Sequence, residues 1–168
     1  MESVHDNGAP RTREELIDRI EQGWRAWVEA VEGIPDERLS EPSVGHWSTK
    51  DLLGHIAFWE DWAIGYCQRI VAGEPEPDED MDAINEGQVA ESKGKTAAEQ
   101  KHYRDEAHAR LVAFLPTIRD GDPQFARLVE ALDGETWGHY DEHSAQVRAW
   151  REKISSMSAA VPLYGDNT

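Results

Sequence analysis

His139 and His143 stand four residues apart in a stretch of helical periodicity. Four residues of α-helix turn through about 400°, so both imidazoles leave one face a turn apart. A helix presents two nitrogen ligands to a metal in this way. Both continue an apolar stripe that runs on through Val147, Trp150 and Ile154, which turns them inward. His55 has the same standing upstream, on a stripe with Leu52, Ile56, Trp59, Ala63, Tyr66 and Ile70. Two helices thus offer three imidazoles to one interior, the way metal sites in bundles are built. Spacing alone leaves two readings open: a ligand set, or core histidines satisfied by hydrogen bonds.

As a ligand set, three neutral imidazoles leave a tetrahedral metal one position for water, a thiolate or a substrate oxygen. Asp51 and Glu135 each precede one of these histidines by four residues and can take its second ring proton, fixing the tautomer. Asp51 also fits a capping box. Trp59 and Tyr66, four and eleven residues beyond His55, are expected to line the pocket. Cys67 lies about 120° round the helix from His55 and is expected to be a packing residue. His139-Tyr-Asp-Glu-His143 also spells the H-x-x-E-H pattern of inverted zinc peptidases. Glu142 lies about 100° from His143, facing outward or sideways, and the chain is small for such a peptidase. His102 and His108 are six apart, about 240° round a helix, and add little; His46 and His5 read as solvated.

Clear start and stop signals delimit the helices that carry these residues. Thr12-Arg-Glu-Glu15 is a capping box, followed by Leu16, Ile20, Trp24, Trp27, Val28 and Val31 at helical spacing and ended by Gly33 and Pro35. Ser48 to Asp51 opens a second helix that Gly73 stops, and Thr96 to Glu99 opens a third that runs to Pro116. Asp122-Pro123 reads as an N-cap with proline at the first helical position, before a short amphipathic helix over Phe125 to Leu132. After Gly134, Glu135 to Ile154 reads as the last long helix. No strand alternation and no repeat is visible. The expectation is a single all-α domain over 1–168: an up-down-down-up four-helix bundle with its core at about 12–154. It has a long acidic crossover at 74–95 between helices 2 and 3, with one helical turn near Met81 to Val89. It also has one short extra helix, and a tail at 155–168 whose Val161, Leu163 and Tyr164 strap onto the body.

The formal net charge is −17, which opposes direct contact with nucleic acid or an anionic membrane. Eight acidic residues and no basic one fall between Glu74 and Ser92, read as a solvated loop whose spacing is not that of a calcium site. A single cysteine, no membrane segment and a polar N-terminus favour a reducing cytoplasm.

Trp47-Ser-Thr-Lys-Asp-Leu-Leu-Gly-His55-Ile-Ala-Phe-Trp59 resembles the second-helix signature of the DinB/YfiT-like superfamily, closest to its ClbS/DfsB branch. The segment Gly138-His139-Tyr140-Asp-Glu-His143 with Val147, Arg148, Ala149 and Trp150 is similar to that family's last-helix signature. The resemblance covers most of residues 12–154. It implies a four-helix bundle, often dimeric, with zinc or nickel on His55, His139 and His143. It also implies thiol-dependent isomerases and transferases, or proteins that protect their host from a reactive natural product. The expected function is a metal-dependent hydrolase or low-molecular-weight-thiol transferase acting on a small electrophile. The alternative is a binding or self-resistance module whose metal is structural or absent.

Overall fold

The computed structural model describes residues 8–160. Four long helices form the bundle: α1 (Arg13–Val31), α2 (Thr49–Val71), α4 (Ala97–Phe114) and α6 (Trp137–Ala159). The crossover carries α3 (Met81–Ser92), and α5 (Phe125–Glu135) precedes the last helix. α2 packs on α4 and α1 on α6, while α5 lies against α2 and α6. The all-α bundle with a long crossover and a short extra helix is the architecture the periodicities predict. The strap expected of Val161, Leu163 and Tyr164 lies outside the described residues.

The helix starts follow from side-chain chemistry. Ser48 and Thr96 accept from the N–H groups of Asp51 and Glu99, whose carboxylates accept in return from the backbone N–H groups of Ser48 and Thr96. Each box satisfies two orphan donors of a helix start. Thr12 accepts from Glu15 N–H, but the Glu15 carboxylate reaches Arg11 N–H instead of that of Thr12. The core these helices enclose is built from Leu16, Ile20, Trp27, Leu52, Leu53, Ile56, Leu111, Leu115, Leu132 and Val147, all with no exposed surface. Burial of such side chains contributes roughly 1.5–3 kcal/mol each.

Four local features depart from the sequence reading. A two-stranded antiparallel hairpin, β1 (Pro42–Val44) and β2 (Trp47–Ser48), stands where no strand was expected. Its turn passes through Gly45 at φ +59, a conformation that favours glycine. The crossover holds three helical turns, not one, because Asp80 caps α3 by accepting from Ala83 N–H. Asp122 accepts from Gln124 N–H, so α5 begins at Phe125 and Pro123 stays outside it. The last helix begins at Trp137, since Gly134 and Glu135 belong to α5. The break is at Thr136, whose hydroxyl bonds back to the Leu132 carbonyl at 2.5 Å and whose backbone leaves the helical region (φ −125, ψ −102).

Candidate metal centre

The break at Thr136 places His139 in the first turn of α6 and His143 one turn on, both facing His55 on α2. One ligand atom from each of the three side chains lies within 4.8 Å of the others. His55 Nε2 and His139 Nε2 are 2.8 Å apart, and the ring centroids of His143 lie 5.1 Å from His55 and 4.6 Å from His139. His55 and His143 are buried and His139 half-buried.

Electrostatics hold the cluster neutral. Desolvation, reinforced by the neighbouring imidazoles, lowers His55 to about 3 and His139 to about 2. The Gln88 side chain opposes the shift at His55, and the Glu135 backbone carbonyl opposes it at His139. Burial also lowers His143. Neutral imidazoles keep the lone pairs a metal needs. Gln146 Oε1 lies 2.7 Å from His143 Nδ1, accepting its proton and leaving Nε2 as the free donor atom. The Nε2 atoms of His55 and His139 point at one another, with the Gln88 side chain beside the His55 ring and the Glu135 carbonyl beside that of His139. Three uncharged, converging nitrogens in a desolvated pocket fit a borderline-soft divalent cation.

The surroundings are aromatic. Trp47, delivered by the hairpin, meets His55 edge-on at 5.0 Å between centroids, and Trp59 does so at 6.5 Å. α3 closes over these rings. Trp59 Nε1–H donates to Asn85 at 2.9 Å, Trp47 Nε1–H to Glu86 at 3.3 Å, and Trp62 Nε1–H to Glu79 at 2.8 Å. The acidic crossover is therefore in part an acceptor surface for indoles, and not a purely solvated loop.

Other residues singled out in the sequence have diverse placements. Tyr66 meets Trp62 at 4.8 Å, which in turn meets Trp59 at 5.2 Å, so it continues the aromatic row away from His55. Asp51 spends its carboxylate on the Ser48 capping box and makes no bond to His55 Nδ1. Glu135 contributes its backbone carbonyl beside His139, and burial pushes its carboxyl up to about 7. Cys67 is wholly buried in the core, its thiol raised to about 12, and stands outside the histidine cluster. Glu142 is exposed.

A second polar cluster has no counterpart in the sequence reading. Glu60 has no exposed surface, and its Oε1 accepts from the Tyr140 hydroxyl and lies 2.9 Å from His108 Nδ1. Trp24 stacks on His108 at 3.8 Å with the rings within 4° of parallel. Burial raises the Glu60 carboxyl, and His108 and Tyr140 hold it down in part. The signal was available: Glu60 adjoins the inward-facing Trp59, and a carboxylate there needs a buried partner. Helical spacing within α4 cannot reveal a partner on another helix, so His108 was passed over.

A helical bundle with three histidines gathered between two of its helices defines the class of protein. The chain belongs to the DinB superfamily, whose model matches residues 19–138. The match includes His55 and ends one residue before His139. Among solved structures, an uncharacterised protein from Escherichia coli UTI89 is similar, with TM-score 0.73 and 16% identity over 88% of this chain and 96% of that one. The sibling lethal factor precursor DfsB is similar at TM-score 0.68 and 16% identity, covering 85% of this chain and 96% of that one. These likenesses establish the fold, in agreement with the ClbS/DfsB-type resemblance of the sequence. No curated protein matches the chain. No helix among the described residues is long and apolar enough to cross a membrane.

Proposed function

We propose that His55, His139 and His143 bind a divalent metal, zinc or nickel, and that the chain is a metal-dependent enzyme acting on a small electrophilic molecule. The reaction class is hydrolysis or transfer of a low-molecular-weight thiol. The observation that carries this reading is the convergence of three neutral nitrogens within 4.8 Å in a desolvated pocket. When bound, such a metal supplies Lewis acidity and an activated water or thiolate.

The chain's own residues do the rest. Gln146 fixes the His143 tautomer so that Nε2 faces inward. Trp47 and Trp59 wall the cluster and exclude water from it, and α3, held by its indole bonds, covers them. The net charge of −17 favours an uncharged or cationic small molecule over nucleic acid. A cytoplasmic setting suits the lone buried thiol, and assembly as a homodimer follows from the family resemblance alone.

The same aromatic enclosure favours a second reading, a ligand-sequestering or self-resistance protein without turnover. Trp47 and Trp59 edge onto His55 and Trp62 meets Trp59 at 5.2 Å, an aromatic lining suited to a flat molecule. Elemental analysis of protein purified without added metal separates the cases, together with a turnover screen of epoxides and activated esters with and without thiols. The enzyme reading expects about one zinc or nickel per chain, lost in His139→Ala, and turnover that follows metal content. Full metal retention in His139→Ala ends the ligand assignment. Binding without turnover in metal-loaded protein supports the sequestering reading.

A further inference from the structure

The crossover helix α3 has little core of its own: within Met81–Ser92 only Val89 and Ser92 are buried. A helix of this length is marginal without tertiary support. Its support comes from side-chain bonds gathered around His55. Asn85 accepts from Trp59 Nε1–H at 2.9 Å and Glu86 from Trp47 Nε1–H at 3.3 Å, and these are the two indoles that meet the His55 ring edge-on. Gln88 stands about one turn on from Asn85, on the same face of α3.

Gln88 reaches the imidazole itself. Both polar atoms of its carboxamide are withdrawn from water, and so is His55 Nδ1. Buried polar groups are as a rule paired, and the Asp51 carboxylate is committed to the Ser48 capping box. The Gln88 side chain favours the protonated ring, which makes it an acceptor and not a donor toward His55. The accepting atom is Oε1, the one acceptor of the carboxamide. His55 Nε2 is turned the other way, 2.8 Å from His139 Nε2. A neutral imidazole that donates from Nδ1 keeps its lone pair on Nε2.

We propose that Gln88 is a positioning residue for His55: its Oε1 takes the Nδ1 proton, holds Nε2 as the metal-binding nitrogen, and so couples α3 to metal at the histidines. The inference rests on the metal reading of the three histidines. It gives two of them a carboxamide partner, Gln88 from α3 for His55 and Gln146 from α6 for His143. A His55 ring that carries a cation on Nε2 donates from Nδ1 more strongly, because the bond becomes charge-assisted. α3 is then held more tightly, and by linkage its hold raises metal affinity by the same factor. The crossover is thus a cover whose order follows occupancy of the histidines.

Zinc is the probe, on the full chain. In metal-free wild type, NMR of the ring nitrogens is expected to show His55 protonated at Nδ1. Gln88→Leu, which removes the acceptor at similar size, is expected to lose that preference and to weaken zinc about tenfold or more. Zinc is expected to slow amide exchange across Met81–Ser92 in wild type and to do so far less in Gln88→Leu. Asn85→Ala is the control: it releases α3 from Trp59 yet is expected to keep the His55 tautomer. Circular dichroism checks that both variants fold. Protonation of His55 at Nε2 in metal-free wild type overturns the proposal, whatever the variants do. Equal loss of the tautomer in Asn85→Ala overturns it too, since any loosening of α3 would then do the same. Wild type that takes up no zinc ends the metal reading and the coupling with it. Zinc uptake with undiminished affinity in folded Gln88→Leu overturns the coupling alone and leaves the metal reading standing.

Discussion

The Tyr140 hydroxyl donates to Glu60 Oε1 and so ties α6 to α2, the two helices that carry His139 and His55. Glu60 has no exposed surface, and its other oxygen is buried without a partner. Tyr140→Phe leaves the carboxyl with His108 as its one partner among the described residues. The substitution is expected to lower the unfolding free energy by about 1–3 kcal/mol. Urea denaturation at neutral pH measures it, and an unchanged midpoint would show that the bond adds nothing net.

Acid should destabilise the metal-free protein. Burial holds His55 at about 3 and His139 at about 2, below the ordinary value of about 6.5 for an exposed imidazole. The unfolded chain therefore binds protons that the native state refuses. Stability is full above about pH 6.5 and falls on acidification, by roughly 1.4 kcal/mol per pH unit for each histidine that stays neutral. Glu60 and Glu135 have the opposite sense: their raised carboxyls, Glu135 at about 7, stabilise the fold below the ordinary carboxylate range and lose that contribution as pH rises. Denaturation curves between about pH 4.5 and 7 test the balance. Wild-type and His139→Ala profiles that run parallel across this range would contradict the buried-neutral assignment of His139.

His139→Ala should keep the bundle. The helices are specified by the boxes at Ser48 and Thr96, the cap at Thr12 and an apolar core, while His139 is only half-buried. Far-ultraviolet circular dichroism is expected to match wild type, with the loss confined to metal binding. A structural metal would behave otherwise, because its binding energy is folding energy and the variant would lose helix along with it.

The hold of α3 on the aromatic row is testable at Trp59. Trp59→Phe removes the N–H that Asn85 accepts while keeping an aromatic ring beside His55. Amide exchange across Met81–Ser92 is expected to accelerate, with a stability loss of about 1 kcal/mol. Exchange unchanged in this segment would mean that Trp47 and Trp62 hold it by themselves.

The α1–α6 contact depends on Gly23. A Cβ there would lie 3.0 Å from Tyr140 Cδ2 and 3.2 Å from Trp137 Cβ. Gly23→Ala gains helix propensity but must displace the Tyr140 ring and the α6 backbone at Trp137, whose Cα is 3.3 Å away, for a net loss of about 1–3 kcal/mol. A thermal midpoint raised by the substitution would show that the two helices can part at no cost.

Local chemistry was legible in the residues themselves. The caps at Thr12, Ser48 and Thr96 and the inward stripes are properties of neighbours along the chain, so four long helices and the three inward histidines followed from spacing. The tertiary structure decided what depends on residues far apart in sequence. The break at Thr136 rests on its hydroxyl reaching back to Leu132 in place of the stop expected at Gly134. The acidic crossover is pinned by indoles because Trp47 from β2 and Trp59 and Trp62 from α2 present donors to it. Glu60 and His108 are 48 residues apart, and only the packing of α4 on α2 makes them partners. Periodicity reports which way a side chain faces along its own helix; what it meets there is fixed by how the helices pack.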